Sequence, residues 1–355
     1  MLFVFYKETP NGLRYWQVGG RGFCLGAEKA RQPKNPLFAG QQSEFILYNG
    51  LYAELYSQVM QTGNHMNITL ALGGGGAKGN SHIGVIRRLE KEGFKINAVA
   101  GTSFGGIVAV FYAVGYSVTQ IEDLFADLDQ TSLYGHTATQ EPSLLGLAGA
   151  GKWLKSVFGD KTFADLKLPC AVTAVDLKSG SEIVLSEGSL VDAILATIAL
   201  PGVLPHVHIK DWELVDGGVL NPVPVSVARS LAPNVPVVAV VLSEPLGVSA
   251  KTWTLPMPNI IPRALANQLA RLSYAQAFDI FLRSLDIVDR AVAEYRLKVD
   301  KPEIIIRPDA YHIDLFDKVD VRAVALKGEE AVEKALPELK KLFAWQNRLR
   351  RAIGV

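Results

Sequence analysis

Gly74-Gly75-Gly76-Ala77-Lys78-Gly79 follows the apolar run Ile68 to Leu72, and Gly101-Thr102-Ser103-Phe104-Gly105 follows Ile96 to Ala100. In both places a β-like run ends in glycine and passes into a helical pattern. Ser81 to Glu92 has Ile83, Ile86 and Leu89 on one face and stops at Gly93; Phe104 to Val114 is ended by Gly115. Strand then helix, repeated, is the signature of a parallel sheet flanked by helices, so an α/β class is expected from Asn67 onward. The two turns together supply backbone amides that can cradle an anion and an exposed serine. Acyl transfer needs both parts around one carbonyl.

The alternation continues outward from this stretch. Ser117 and Gln120 form a capping box before a helix bearing Ile121, Leu124, Phe125 and Leu128. Thr131 to Gly151 interrupts the pattern with Gly, Ser, Thr and Pro around Leu144-Leu145-Gly146-Leu147, which reads as a mobile loop, or lid, carrying an apolar patch. Strands are expected at Leu168 to Asp176, Glu182 to Ser186 and Val235 to Leu242, with helices at Leu190 to Ile198 and Val225 to Leu231. Then come a long helix at about 264–297, a strand at Glu303 to Arg307 and a charged helix from Glu329 to about Arg351. Residues 1–66 read differently. Leu2 to Lys7 and Leu13 to Val18 flank the turn signal Thr9-Pro10-Asn11-Gly12, so an N-terminal extension is expected as a β-hairpin packed on a core formed by residues 67–355, its role left open.

The composition fits a globular protein, with 49% hydrophobic residues to bury. Lys and Arg number 36 against 35 Asp and Glu, so no global field of either sign recruits nucleic acid or an anionic membrane. The start lacks a basic leader before an apolar core, and no apolar run reaches the roughly 18 residues of a spanning helix, so a cytoplasmic protein is expected, with local contact at a membrane surface left open. Cys24 and Cys170 are the two cysteines, and Cys170 in Leu168-Pro169-Cys170-Ala171-Val172 reads as a buried free thiol. Neither a disulfide framework nor metal-ligand spacing is present, and no cofactor is expected. The oligomeric state is not legible.

Gly101-x-Ser103-x-Gly105 matches a nucleophile elbow, in which bulky residues two positions from the serine would clash. Gly74, Gly76 and Gly79 fit G-x-G-x-x-G, but the next strand, Ile96 to Gly101, ends without the carboxylate a dinucleotide site requires. A phosphate-binding P-loop fails too, since Lys78 lies between Ala77 and Gly79. An oxyanion hole from Gly74, Gly75 and Gly76, facing Ser103, is the reading that remains beside a merely tight turn. The base has two candidates. Ser103, Asp216 and His312 have the chain order of an α/β-hydrolase triad, although His312 sits in a polar loop. Asp216 ends the strand Glu213-Leu214-Val215 and precedes Gly217 and Gly218, which allow close approach or simply a turn.

Together these residues resemble the patatin-like phospholipase family. The glycine run, Gly101-Thr102-Ser103-Phe104-Gly105 and Asp216-Gly217-Gly218 occur in the family's order, with Ala199-Leu200-Pro201-Gly202-Val203-Leu204-Pro205 ahead of the aspartate and Asn221-Pro222-Val223-Pro224 after it. The resemblance runs from about Asn67 to about Leu342 and leaves the first 66 residues outside. Departures are Gly73 for serine, Asn80 for alanine, and Ala196-Thr197 for Ala-Ser. The resemblance implies a three-layer α/β/α fold with a mainly parallel sheet. It further implies a Ser103–Asp216 dyad without a catalytic histidine, oxyanion amides from Gly74 to Gly76, and a supporting basic residue at Lys78. It points to hydrolysis of fatty-acyl esters of phospholipids or lysophospholipids. A fold that keeps the motifs but only binds or regulates is the rival. Trp153, the Leu144–Leu147 patch and apolar residues of the 260–287 segment are expected to line an acyl tunnel or touch a bilayer, or else to form core.

Overall fold

A computed structural model describes residues 4–8, 14–18, 21–24, 66–135, 143–247 and 273–352. The chain divides into two compact units, Met1–Asn64 and His65–Val355. In the first, β1 (Val4–Glu8) and β2 (Arg14–Val18) pair antiparallel with Tyr6 opposite Trp16, and β3 (Arg21–Cys24) adds to β2 as a third antiparallel strand. The turn residues Thr9 to Gly12 lie outside the described residues.

The second unit begins with β4 (Met66–Leu72), α1 (Ser81–Lys91), β5 (Phe94–Thr102), α2 (Phe104–Val114) and α3 (Val118–Ala126). It continues with α4 (Ala148–Phe158), β6 (Cys170–Asp176), β7 (Ser181–Leu185), α5 (Leu190–Thr197), β8 (Val207–Ile209) and β9 (Trp212–Asp216). It closes with α6 (Val225–Leu231), β10 (Val237–Val240), α7 (Ser273–Asp300), β11 (Ile304–Ile306) and α8 (Val321–Ala352). The sheet runs β11-β10-β4-β5-β6-β9-β8, with β7 also on β6. From β11 to β6 all pairs are parallel, and β7, β8 and β9 pair antiparallel.

Helices cover both faces, which is why β6 and β10 are buried at every position instead of alternating. On β4, Ile68, Leu70 and Leu72 join one core with Ile83, Phe111 and Leu339, while Ala71 joins a second core with Val225 and Leu297. Three layers result, α/β/α. Local sequence accounts for the helix ends: Ser117 and Gln120 close the capping box at α3 through bonds of 2.9 and 3.2 Å, and Gly93 after α1 takes φ +85. Among the described residues no helix is long and apolar enough to cross a membrane.

The structure departs from the sequence reading in three places. The patch at Leu144 to Leu147 is not an open lid: Leu145 and Leu147 are buried in a small core with Leu204 and Leu282, and only Leu144 is exposed. The second half of that supposed loop is the start of α4, whose Leu154 and Phe158 are buried; residues 136–142 lie outside the description. The last helix begins eight residues earlier than Glu329, at Val321, because it packs on α1 through two glycines. A Cβ on Gly84 would lie 1.7 Å from the Ala325 carbonyl oxygen, and one on Gly328 1.9 Å from that of Ser81.

Candidate active site

The sheet register brings the two halves of the site together. Val172 and Thr173 of β6 pair with β7 on one edge and with Gly101 and Thr102 of β5 on the other. Ala174 to Asp176 pair with β7 on that same first edge and with Leu214 to Asp216 of β9 on the other. β5 and β9 therefore share one edge of β6 end to end. Thr102 stands opposite Thr173, Asp216 opposite Ala174, and the next residue after Thr102 is Ser103. Where β5 yields to β9 the sheet changes from parallel to antiparallel, and there a serine and an aspartate from distant parts of the chain meet.

Ser103 occupies the turn between β5 and α2 with φ 54 and ψ −127, an unusual conformation for a residue with a side chain. Its backbone N–H donates to Thr197 Oγ1 at 2.9 Å, and the Thr197 hydroxyl donates to the Thr173 carbonyl at 2.7 Å. Thr102 Oγ1 donates to the Asn221 carbonyl at 2.8 Å and lies 2.6 Å from Thr173 Oγ1. The elbow is therefore tied down on three sides. The flanking glycines answer a steric need: a Cβ on Gly101 would lie 2.3 Å from the Gly105 carbonyl oxygen, and one on Gly105 2.2 Å from that of Leu72. The N-terminus of α2 starts at Phe104 and directs the positive end of its backbone dipole at the serine.

Asp216 is buried, and its carboxylate accepts a hydrogen bond from Gly218 N–H at 2.8 Å, with the Ser103 side chain near enough to favour its charged form. Burial pushes its pKa up to about 6, and Ser103 and Gly218 pull the other way. Gly217 permits the approach of this strand end, since a Cβ there would sit 2.2 Å from Thr173 Oγ1. His312 is exposed and is not among the residues lining the cavity around Ser103. His65 and His136 lie outside the described residues, and His206 and His208 pair with each other, Nε2 to Nε2 3.2 Å, on the β8 hairpin.

β4 ends beside β5, with Leu72 opposite Gly101, so the glycine run opens next to the serine. A Cβ on Gly74 would lie 3.2 Å from Ser103 Cβ. The run divides in a way the sequence does not reveal. Gly74 N–H donates to the Pro222 carbonyl at 3.0 Å, which removes Gly74 from the expected set of oxyanion donors. Gly75 and Gly76 N–H have no backbone or side-chain acceptor among the described residues. Gly76 takes φ +55, and its missing side chain lets the Leu315 carbonyl approach. Buried His82, a residue sequence reasoning passed over, braces the run from behind through Nε2 on the Gly73 carbonyl at 2.8 Å. Burial pushes its pKa down to about 4, so it is neutral and donates.

Ser103, Asp216, Gly74 to Gly76, Lys78 and Gly218 all line one cavity of about 310 Å3. One wall is apolar, with Ile107, Phe125, Leu128, Leu147 and Trp153. Of the residues expected at an acyl tunnel, Leu147, Trp153 and Leu285 are on the wall; residues 260–272 lie outside the described residues. The polar part of the lining was not legible in the sequence. It comprises Asp286, Asp289 and Arg290 of α7, Glu244 after β10, and a loop carrying Tyr311 and Asp314. Arg290 pairs with Glu244 at 3.1 Å and with Asp286 at 2.5 Å.

Residues 70–229 match the model of the patatin-like phospholipase domain, a span that includes both Ser103 and Asp216. An uncharacterized NTE family protein of Mycobacterium tuberculosis is 33% identical over 171 residues, 45% of this chain and 44% of that protein. Patatin-like phospholipase domain-containing protein 6 of Mus musculus is 30% identical over 317 residues, 79% of this chain and 23% of the mouse protein. VipD from Legionella pneumophila aligns over 95% of this chain and 70% of its own with 12% identity and a TM-score of 0.47. The chain spans less than half the length of the two named relatives it matches in sequence.

Proposed function

Because the chain belongs to the patatin-like phospholipase family, we propose that it is a serine acyl hydrolase that cleaves fatty-acyl esters of phospholipids or lysophospholipids through a Ser103–Asp216 dyad. One observation carries the reading: a serine held at a strained turn and a buried carboxylate line one cavity beside unengaged backbone amides. Asp216 takes the Ser103 proton as Oγ adds to the ester carbonyl. The oxyanion so formed faces the Gly75 and Gly76 amides. Collapse expels the alcohol, which receives its proton from Asp216, and leaves an acyl-serine. Water then adds with Asp216 again as base, and the fatty acid leaves as Ser103 regains its proton. The pKa near 6 supports Asp216 as a base that is ionised at neutral pH yet stronger than an ordinary carboxylate.

The apolar wall supports an acyl chain as the group seated beside Ser103. Ile280, Phe281, Ile287 and Val288 on α7 are exposed, and Val288 also reaches the cavity, which supports contact with a lipid surface at its mouth. The exposure of His312 favours the dyad over a triad. Labelling by a fluorophosphonate, alongside hydrolysis of a panel of phospholipids and lysophospholipids, tests the reading. Wild type should label and hydrolyse, Ser103→Ala and Asp216→Asn should not. A folded wild type inert to both would leave the rival, a binding protein on the same fold.

A further inference from the structure

Asp289 of α7 lines the same cavity as Ser103 and Asp216, well beyond the residues matched by the family model. Both carboxyl groups stand against Gly218: from the point where a Cβ would stand on that glycine, Asp216 Oδ1 is 3.1 Å away and Asp289 Oδ1 3.6 Å. We propose that Asp289 is a positioning residue of the reaction, a second carboxyl group whose charge couples to that of Asp216 and, once ionised, strengthens it as the base for Ser103. The inference rests on the dyad described above.

The surroundings favour such coupling. Asp289 is partly buried, and desolvation first, then the charge of Asp216, push its pKa up to about 7; Lys78 and Arg290 oppose this and Asp286 adds to it. The groups facing Asp289 are thus Asp216 from β9, Lys78 from the glycine run, and Asp286 and Arg290 from its own helix. Glu244 acts on it through Arg290, and Tyr311 and Asp314 stand on the same cavity. Two carboxyl groups this close lose their protons in coupled steps, and each negative charge raises the proton affinity of the other by the same amount. Ionisation of Asp289 therefore makes Asp216 a stronger acceptor at the moment the serine must give up its proton.

The test is the pH dependence of kcat/KM on a soluble chromogenic ester for wild type, Asp289→Asn and Asp289→Glu, each also labelled with a fluorophosphonate. Wild type should show an acid limb spread over two protonation steps, because repulsion between the charges separates them. In Asp289→Asn the limb should follow one proton and move down by about one pH unit, with the plateau lowered roughly three- to tenfold as the base weakens. Asp289→Glu should keep the broadened limb. An Asp289→Asn profile that superimposes on wild type in position and steepness overturns the inference and leaves the dyad standing. Equal losses in both variants with an unmoved limb also overturn it, by showing a structural role alone. A wild type that does not label overturns the dyad, and this inference with it.

Discussion

The backbone amide of Ser103 is tied to the hydroxyl of Thr197, 2.9 Å away, and that hydroxyl donates a hydrogen bond to the Thr173 carbonyl on β6. α5 thus holds the elbow of β5 in its strained form through one side chain. Thr197→Val preserves the shape and removes both bonds, leaving a buried N–H and a buried C=O without partners, at about 1–3 kcal/mol each. Turnover and fluorophosphonate labelling should fall together, with KM little changed, while Thr197→Ser should retain both. Wild-type labelling by Thr197→Val would mean that the elbow keeps its geometry without α5.

Substitutions along the glycine run should separate by mechanism. Gly74→Ala places a methyl 3.2 Å from Ser103 Cβ, tight enough to displace the nucleophile but met by no backbone clash. Its turnover should drop by about a hundredfold with near-native thermal stability. Gly76→Ala meets the Leu315 carbonyl oxygen at 2.2 Å and demands φ +55, so it should lose both activity and melting temperature. Thermal melts beside kcat for the two variants check the distinction.

The elbow and the glycine run were legible because their chemistry is written in adjacent residues: glycine is required where a backbone carbonyl stands within 2.3 Å of a would-be Cβ, as at Gly101 and Gly105. Asp216 was legible through Gly217 and Gly218 for the same reason. The sequence could not show that Gly74 spends its N–H on Pro222, 148 positions later in the numbering, because that is a fact of register between distant segments. Nor could it show Asp289, which reads as an ordinary polar position on an amphipathic helix until α7 brings it beside Gly218. α4 was missed because three glycines, Gly146, Gly149 and Gly151, mask its start; a Cβ on Gly149 would lie 1.9 Å from the Ser132 carbonyl oxygen, so packing requires the glycine that local propensity disfavours.

Asp216→Asn should abolish hydrolysis and stabilise the fold at neutral pH. Asp216 has its pKa raised to about 6 from 3.8, so the native state holds an ionised, buried carboxylate at a cost of roughly 3 kcal/mol. A raised pKa means that wild type regains this stability as pH falls through about 6 toward 3.8. The variant's advantage in chemical denaturation should therefore be full above that range and vanish below it. Equal stability at neutral pH would show that the site solvates this carboxylate.

An acid limb near pH 6 would not by itself identify the base. An exposed carboxylate would work well below the pH at which histidine is protonated, but burial lifts Asp216 to about 6, close to an ordinary histidine near 6.5. The test that separates dyad from triad is His312→Ala. With an exposed side chain that does not line the cavity, it should leave kcat/KM within about twofold of wild type. A folded but inactive His312→Ala would restore the triad.

Ile107 lies one helical turn after Ser103 on α2 and contributes to the apolar wall of the cavity. A chain bound with its carbonyl at Ser103 Oγ gains most along these apolar residues, since beside Asp286, Asp289 and Arg290 methylenes would gain little and desolvate charges. Ile107→Trp should fill space next to the nucleophile without touching the dyad, and the loss should grow with acyl length. Each methylene denied burial forfeits about 0.8 kcal/mol, roughly a fourfold factor in kcat/KM. Rates on esters of increasing chain length should thus peak at a shorter acyl group than in wild type, while labelling by a small fluorophosphonate stays near wild type. An unchanged length profile would mean that the acyl chain leaves the serine by another route, and that the aromatic residues around Trp153 are core alone.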